Sequence, residues 1–174
     1  MLLFLAFFCH LAGFFLLSIL SYIDLKTRLL PNIFVFPFGL IGLLFQSLTF
    51  FKYLDPLAVI AGALVGGGLL YLVRAGANAY YKQDALGLGD VKLLGAAGLW
   101  LGVEGVLFAL TIGAFAGLVH GLIYGVWLAF KTRQPLNLNR LAIPAGPGFA
   151  FGIVAIALWQ YRDFYLEVLY GIGS

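Results

Sequence analysis

ALGLGDVKLLGAAGLWLG, residues 85–102, decides how the chain is read. Asp90 and Lys92, a carboxylate and an amine, stand behind two glycines at the mouth of a run with no further charge. Merging residues 93–130 into one helix would give a rod of about 57 Å, nearly twice the thickness of a bilayer's hydrocarbon core. A break is therefore expected after this stretch, with Gly102, Glu104 and Gly105 making a tight turn. That leaves a short helix of about 89–103 and a longer one of about 104–130.

Composition identifies the solvent. Apolar residues make up 63% of the 174 and charged ones only 10%, against about 25% in an ordinary soluble domain. Too few charges remain to cover a globular surface, so the bilayer is the solvent to expect. Cys9 is the only cysteine, which excludes an internal disulfide and a four-cysteine zinc site. No basic tract or RNA-type aromatic motif points to nucleic acid. The amino terminus has neither the basic start nor the small-residue cleavage site of a signal peptide, so it reads as a retained span.

A transmembrane helix needs roughly 20 mostly apolar residues. Segments of about 2–23, 33–51, 57–73, 104–130 and 143–160 meet or approach this, and 89–103 makes a sixth. The fold class expected is an all-α polytopic bundle, with residues 1–174 forming a single membrane-embedded domain. Alternating helices put Lys26, Arg28, Arg74, Lys82, Lys92, Lys131, Arg133 and Arg140 on one side and Lys52 and Arg162 on the other. Short cytoplasmic loops retain Lys and Arg, so the richer side is assigned to the cytoplasm and both termini to the periplasm. Gly113, Gly117, Gly121 and Gly125 form a small-residue stripe, and Gly62 and Gly66 repeat the pattern. Close packing within one bundle is the preferred reading, with a homodimer interface as the alternative.

Of the seven carboxylates, Asp55, Glu104, Asp163 and Glu167 fall in external loops or the tail, where solvation accounts for them. Asp24 ends the first span and Asp90 begins the fourth, both at the cytoplasmic membrane edge. Asp24 alone reads as a juxtamembrane carboxylate facing Arg28, and Asp90 alone as a helix N-cap. Taken together they suggest a pair that shares a proton, one member drawing a proton from water while the other hydrogen-bonds a scissile carbonyl. Such chemistry needs neither metal nor cofactor. Gly87 and Gly89 suit it by letting backbone approach closely. Burial beside lipid disfavours the charged carboxylate, so activity nearer neutral pH than in acid-working proteases is expected.

Three elements resemble the type IV prepilin peptidases, membrane aspartic proteases of the GxGD type. GLGDVKLL, residues 87–94 with Leu86 before it, resembles their Gly-x-Gly-Asp-x-Lys-Leu signature. Asp24, Arg28, Leu30, Pro31 and Asn32 follow the family's pattern after the first helix of its catalytic domain. IPAGPGFAFG, residues 143–152, resembles the Ile-Pro-Phe-Gly-Pro element, with Ala145 in place of Phe. Asp84 stands where Glu is common. The resemblance implies cleavage of prepilin or type II secretion pseudopilin leaders at the cytoplasmic face of the bacterial inner membrane. Asp24 and Asp90 match the catalytic pair, with Asp84, Gly87, Gly89, Lys92, Arg28, Pro31 and Asn32 in support. The paired Cys-x-x-Cys zinc ligands of the bifunctional members are missing, so the chain resembles a short form, which speaks against N-methyltransferase activity.

Other readings are a non-catalytic relative serving pilus or secretion assembly, and a small cation or proton transporter. The second calls for charge pairs near mid-bilayer and repeat symmetry, and the sequence has neither. His10 and His120 read as packed, hydrogen-bonded imidazoles. Lys92 is expected to orient or neutralise the aspartates, or to snorkel.

Overall fold

The computed structural model describes residues 1–82, 86–132 and 144–171. Among the described residues six helices run in the order α1 (Leu2–Thr27), α2 (Asn32–Leu48), α3 (Pro56–Tyr81), α4 (Leu88–Thr132), α5 (Gly146–Gln160) and α6 (Arg162–Tyr170). No strand occurs among the described residues, and the expected all-α membrane bundle is what the chain forms. By length and composition α1, α3 and α4 can each cross a membrane, while α2 and α5 are apolar but shorter.

The helix ends follow from local chemistry. Arg28 closes α1 in the left-handed region at φ 57°, its N–H donating to the Asp24 carbonyl at 2.8 Å. Pro31, whose ring fixes φ, stands at −67° as the N-cap of α2. So short a connection makes α1 and α2 antiparallel neighbours. At the other end of α2, Phe50 and Phe51 both take positive φ, and the Phe51 N–H reaches back to the Gln46 carbonyl at 2.8 Å. This is a Schellman-type closure without glycine. Pro56 then opens α3 at a first-turn position where its missing N–H costs nothing.

The break in α4 occurs at one residue. Gly102 has φ 68° and ψ −170°, a region essentially reserved for glycine. A Cβ built on Gly66 of α3 would stand 2.5 Å from the Leu94 carbonyl oxygen and 2.9 Å from a Val106 methyl. On a straight helix Leu94 and Val106 would be about 18 Å apart, so the chain doubles back at Gly102. The two arms of α4 are the short and long helices expected from the sequence. The turn is tighter than expected, because Glu104 and Gly105 are already helical. The helix α6 is an addition: the tail was expected to carry only solvated charges.

Packing centres on Trp100, only 4% exposed. A Cβ on Gly42 would meet its indole at 2.6 Å and one on Gly13 at 2.9 Å, so the ring fills a slot between α1 and α2. Its Nε1–H donates to the Phe38 carbonyl at 2.8 Å. Beside it, Gln46 donates through Nε2 to the Trp100 carbonyl at 3.1 Å and to the Tyr161 hydroxyl at 2.8 Å. Tyr161 in turn donates to that same carbonyl. His10 is buried against Phe45, Trp100 and Tyr161, with Nδ1 2.6 Å from the Tyr165 hydroxyl. That matches the expectation for His10. His120 departs from it: its side chain lies on the exposed face of α4, not in the core.

The short α6 is pinned by an ion pair between Lys52 and Glu167, whose second oxygen accepts from the Tyr53 hydroxyl at 3.1 Å. The Lys52 hydrogen bond is the main reason the Glu167 carboxyl lies below its ordinary range, with Tyr53 assisting. Of the glycine stripes, Gly62 and Gly66 rest on the first arm of α4, and Gly113 rests on Phe149 and Gly148 of α5. Those contacts are within the bundle, the preferred reading.

Candidate active site

The buried face of α1 carries Ala6, His10, Gly13, Leu17, Leu20 and then Asp24, a spacing of alternating fours and threes. Phe4, Phe8 and Phe15 occupy the opposite, exposed face. Asp24 therefore continues the stripe that packs inward and is only 5% exposed. In α4 the same spacing links Asp90, Leu94, Ala97 and Leu101, and Asp90 is 8% exposed. Both carboxylates thus face the bundle rather than lipid, and they lie close enough to interact electrostatically.

The start of α5 completes the arrangement. Gly146 is the first residue of α5, and its N–H donates to Asp24 Oδ2 at 2.9 Å. The first amides of a helix have no partner within it, and no side chain of α5 caps this end. Asp24 supplies the cap from another helix, with its negative charge at the positive end of the α5 dipole. A Cβ on Gly146 would stand 2.7 Å from Oδ2 and 3.0 Å from Cγ of Asp24, so only glycine allows this approach.

The two glycines before Asp90 have separate duties. A Cβ on Gly87 would come within 3.0 Å of Asp90 Oδ2. One on Gly89 would stand 2.8 Å from the Leu30 Cβ, so Gly89 makes room for the α1–α2 loop to lie on the start of α4. Leu30 is itself buried and ties that loop down. Arg28 is exposed, with its charge felt at Asp24. Pro31 starts α2. Lys92 and Asn32 pair with each other, Nζ donating to Oδ1 at 3.1 Å, rather than with Asp24 or Asp90. Asp84 and Ile143 lie outside the described residues.

Three residues of the site were not singled out from sequence. Gly146 was quoted only as part of a motif, and nothing local signals its bond to a side chain 122 residues away. Leu30 entered only as a motif position. Arg74 was counted only as a basic residue, yet its Nε donates to the Leu86 carbonyl at 2.9 Å and anchors the approach to Gly87.

Comparisons with known proteins place the chain in a family. The profile of the type IV leader peptidase family matches residues 11–122. The prepilin leader peptidase/N-methyltransferase of Escherichia coli (strain K12) is 33% identical over 136 residues, covering 71% of this chain and 59% of the relative. The protein of that name from Pectobacterium carotovorum subsp. carotovorum is 36% identical over 137 residues, 78% of this chain and 46% of the relative. The one from Xanthomonas campestris pv. campestris is 31% identical over 140 residues, 80% and 46% respectively. The chain spans about half the length of the curated relatives it matches. No solved structure gives a significant match. With more than half of its residues inside that profile, the chain belongs to the type IV leader peptidase family.

Proposed function

We propose that this chain is a membrane aspartic endopeptidase that cleaves the leader of type IV prepilins or type II secretion pseudopilins, with Asp24 and Asp90 as its dyad. The observation that carries the reading is the pair of buried carboxylates, contributed by the end of α1 and the start of α4. One member, ionised, accepts a proton from water as the water oxygen attacks the scissile carbonyl carbon. The other, protonated, donates to the carbonyl oxygen, and collapse of the tetrahedral intermediate delivers a proton to the leaving amine. The two titrate as a unit, so acid and base are roles of the pair.

In this reading the Gly146 amide holds one carboxylate oxygen of Asp24 and leaves the other for water. Arg28 supplies positive charge beside Asp24. Gly87, Gly89, Pro31 and Asn32 shape the approach, with Lys92 bound to Asn32, and Asp84 stands in support. In this proposal the site faces the cytoplasm from the bacterial inner membrane with both termini in the periplasm, an orientation supported by the asymmetry of basic residues. Residues 1–174 act as one peptidase domain, and N-methyl transfer is not assigned to them.

The test is cleavage of a panel of prepilins and pseudopilins by the purified chain in detergent, read by intact mass. The wild type should remove a leader, and Asp24→Asn and Asp90→Asn should each lower the rate by about 10²–10⁴-fold while remaining folded. A wild type that cuts nothing in the panel, or a variant that cuts normally, defeats the proposal. Reporter fusions test the orientation separately, and a cytoplasmic carboxy terminus reverses it.

A further inference from the structure

A second site lies on the outer side of α2, α3 and the first arm of α4. Phe36, Leu40, Ala63, Ala96 and Leu99 are among the residues around a cleft of about 460 Å³, and Lys92 closes one end. Phe36 and Leu40 are 58% and 65% exposed, so the cleft opens sideways, towards what would be the lipid. Apart from Lys92 its lining is apolar.

The polar end is specific. Lys92 Nζ donates to Asn32 Oδ1, which leaves the remaining ammonium hydrogens and the Asn32 side-chain NH₂ as donors at one spot. Among the described residues no acidic side chain pairs with Lys92. The cleft therefore offers an apolar slot ended by a cation and an amide donor. That complements an amphiphile with an acyl chain and an anionic head. The polar end decides between a lipid and an apolar helix: the helix would leave the Lys92 ammonium facing no anion, whereas a phospholipid brings a phosphate to it.

We infer that this cleft binds an anionic phospholipid, one acyl chain lying in the slot and the headgroup phosphate resting against Lys92 and Asn32. The cleft is separate from the Asp24–Asp90 pair but shares Lys92 and Asn32 with the residues that flank it. It gives Lys92 a ligand of its own, although Lys92 stands only two residues from Asp90.

Native mass spectrometry of the full chain tests this, with phosphatidylglycerol or phosphatidylcholine of the same acyl composition titrated into detergent. The wild type should retain phosphatidylglycerol about fivefold better, the effect of one basic residue facing an anionic headgroup. Lys92→Gln should abolish that preference, bringing the two lipids to similar retention. Ala63→Phe, which fills the slot, should lower both. Because Lys92→Gln leaves the packed helix faces intact, the test stands even where Ala63→Phe fails to fold. Equal retention of the two lipids by the wild type, or a preference that survives Lys92→Gln, overturns the inference. Displacement of phosphatidylglycerol by inorganic phosphate at the same concentration also overturns it, assigning the site to a free anion. An apolar helical peptide that occupies the cleft while neither lipid does makes it a protein-docking surface instead.

Discussion

The first amide of α5, that of Gly146, donates to the carboxylate of Asp24, so one helix is capped by a side chain from another. The bond joins the last element of the site to the first and sets the direction in which the Asp24 carboxylate points.

Gly146→Ala should therefore damage activity more than stability. The added methyl would overlap Asp24 Oδ2 and Cγ, and relieving it requires either the carboxylate or the start of α5 to move. Overpacking of this kind costs about 1–3 kcal/mol. The expected result is a folded protein with a modestly lower melting temperature and a cleavage rate reduced well beyond that. Unchanged cleavage would separate the Gly146 contact from function.

Gly102→Ala should act on the fold. At φ 68° and ψ −170° a side chain meets its own backbone, with a cost of about 1–3 kcal/mol. Its effect should show as a lower midpoint in thermal or denaturant unfolding in detergent. A neutral substitution would mean that the reversal of α4 does not depend on this conformation.

Gln46→Leu should destabilise through the polar layer at Trp100. The change removes the donor shared by the Trp100 carbonyl and the Tyr161 hydroxyl in a fully buried position. Loss of a buried hydrogen-bonding partner costs about 1–3 kcal/mol. Adding Tyr161→Phe to this background should cost more than it does alone, because it removes the remaining side-chain donor to the buried Trp100 carbonyl. Additive losses in the double mutant would contradict a shared network.

The Lys52–Glu167 pair gives a pH signature. The Glu167 carboxyl is held below its usual range, chiefly by the Lys52 hydrogen bond. Its contribution is therefore complete above the unfolded glutamate pKa and fades as pH falls through the lowered folded value. Lys52 is shifted upward, first by the Glu167 hydrogen bond, so its share is complete below the ordinary lysine value and is lost at higher pH. The stability difference between wild type and Glu167→Gln should be flat from about pH 5 to pH 10 and shrink on either side. A difference that grows on acidification would show that the pair is not its source.

How much of this was legible in the sequence depended on contrast. The apolar runs against a few charges announced a helical membrane bundle, and the excessive length of 93–130 announced the break near Gly102. Which face of each helix turns inward was harder, because lipid is as apolar as the core and the usual two-sided pattern disappears. His120 was misassigned for that reason. Asp24 was easier than it looked: with Ala6, His10, Gly13, Leu17 and Leu20 it shares a spacing that only one face of a helix satisfies. The tail helix α6 was missed because its anchors, Lys52 and Tyr53, lie far away in sequence.

The reversal at Gly102 also sets a depth. The arm from residue 88 to residue 101 is about 21 Å long, and α5 is of similar length, against a hydrocarbon layer of about 30 Å. Elements this short cannot reach both headgroup planes at once. Either the bilayer thins around them or one end of each stands below the surface at the foot of a watery depression. Asp90 lies at such an end, and the hydrolysis proposed for it would consume water. Bilayer thickness thereby becomes a control on how easily water reaches the carboxylates, set by where one glycine bends the chain.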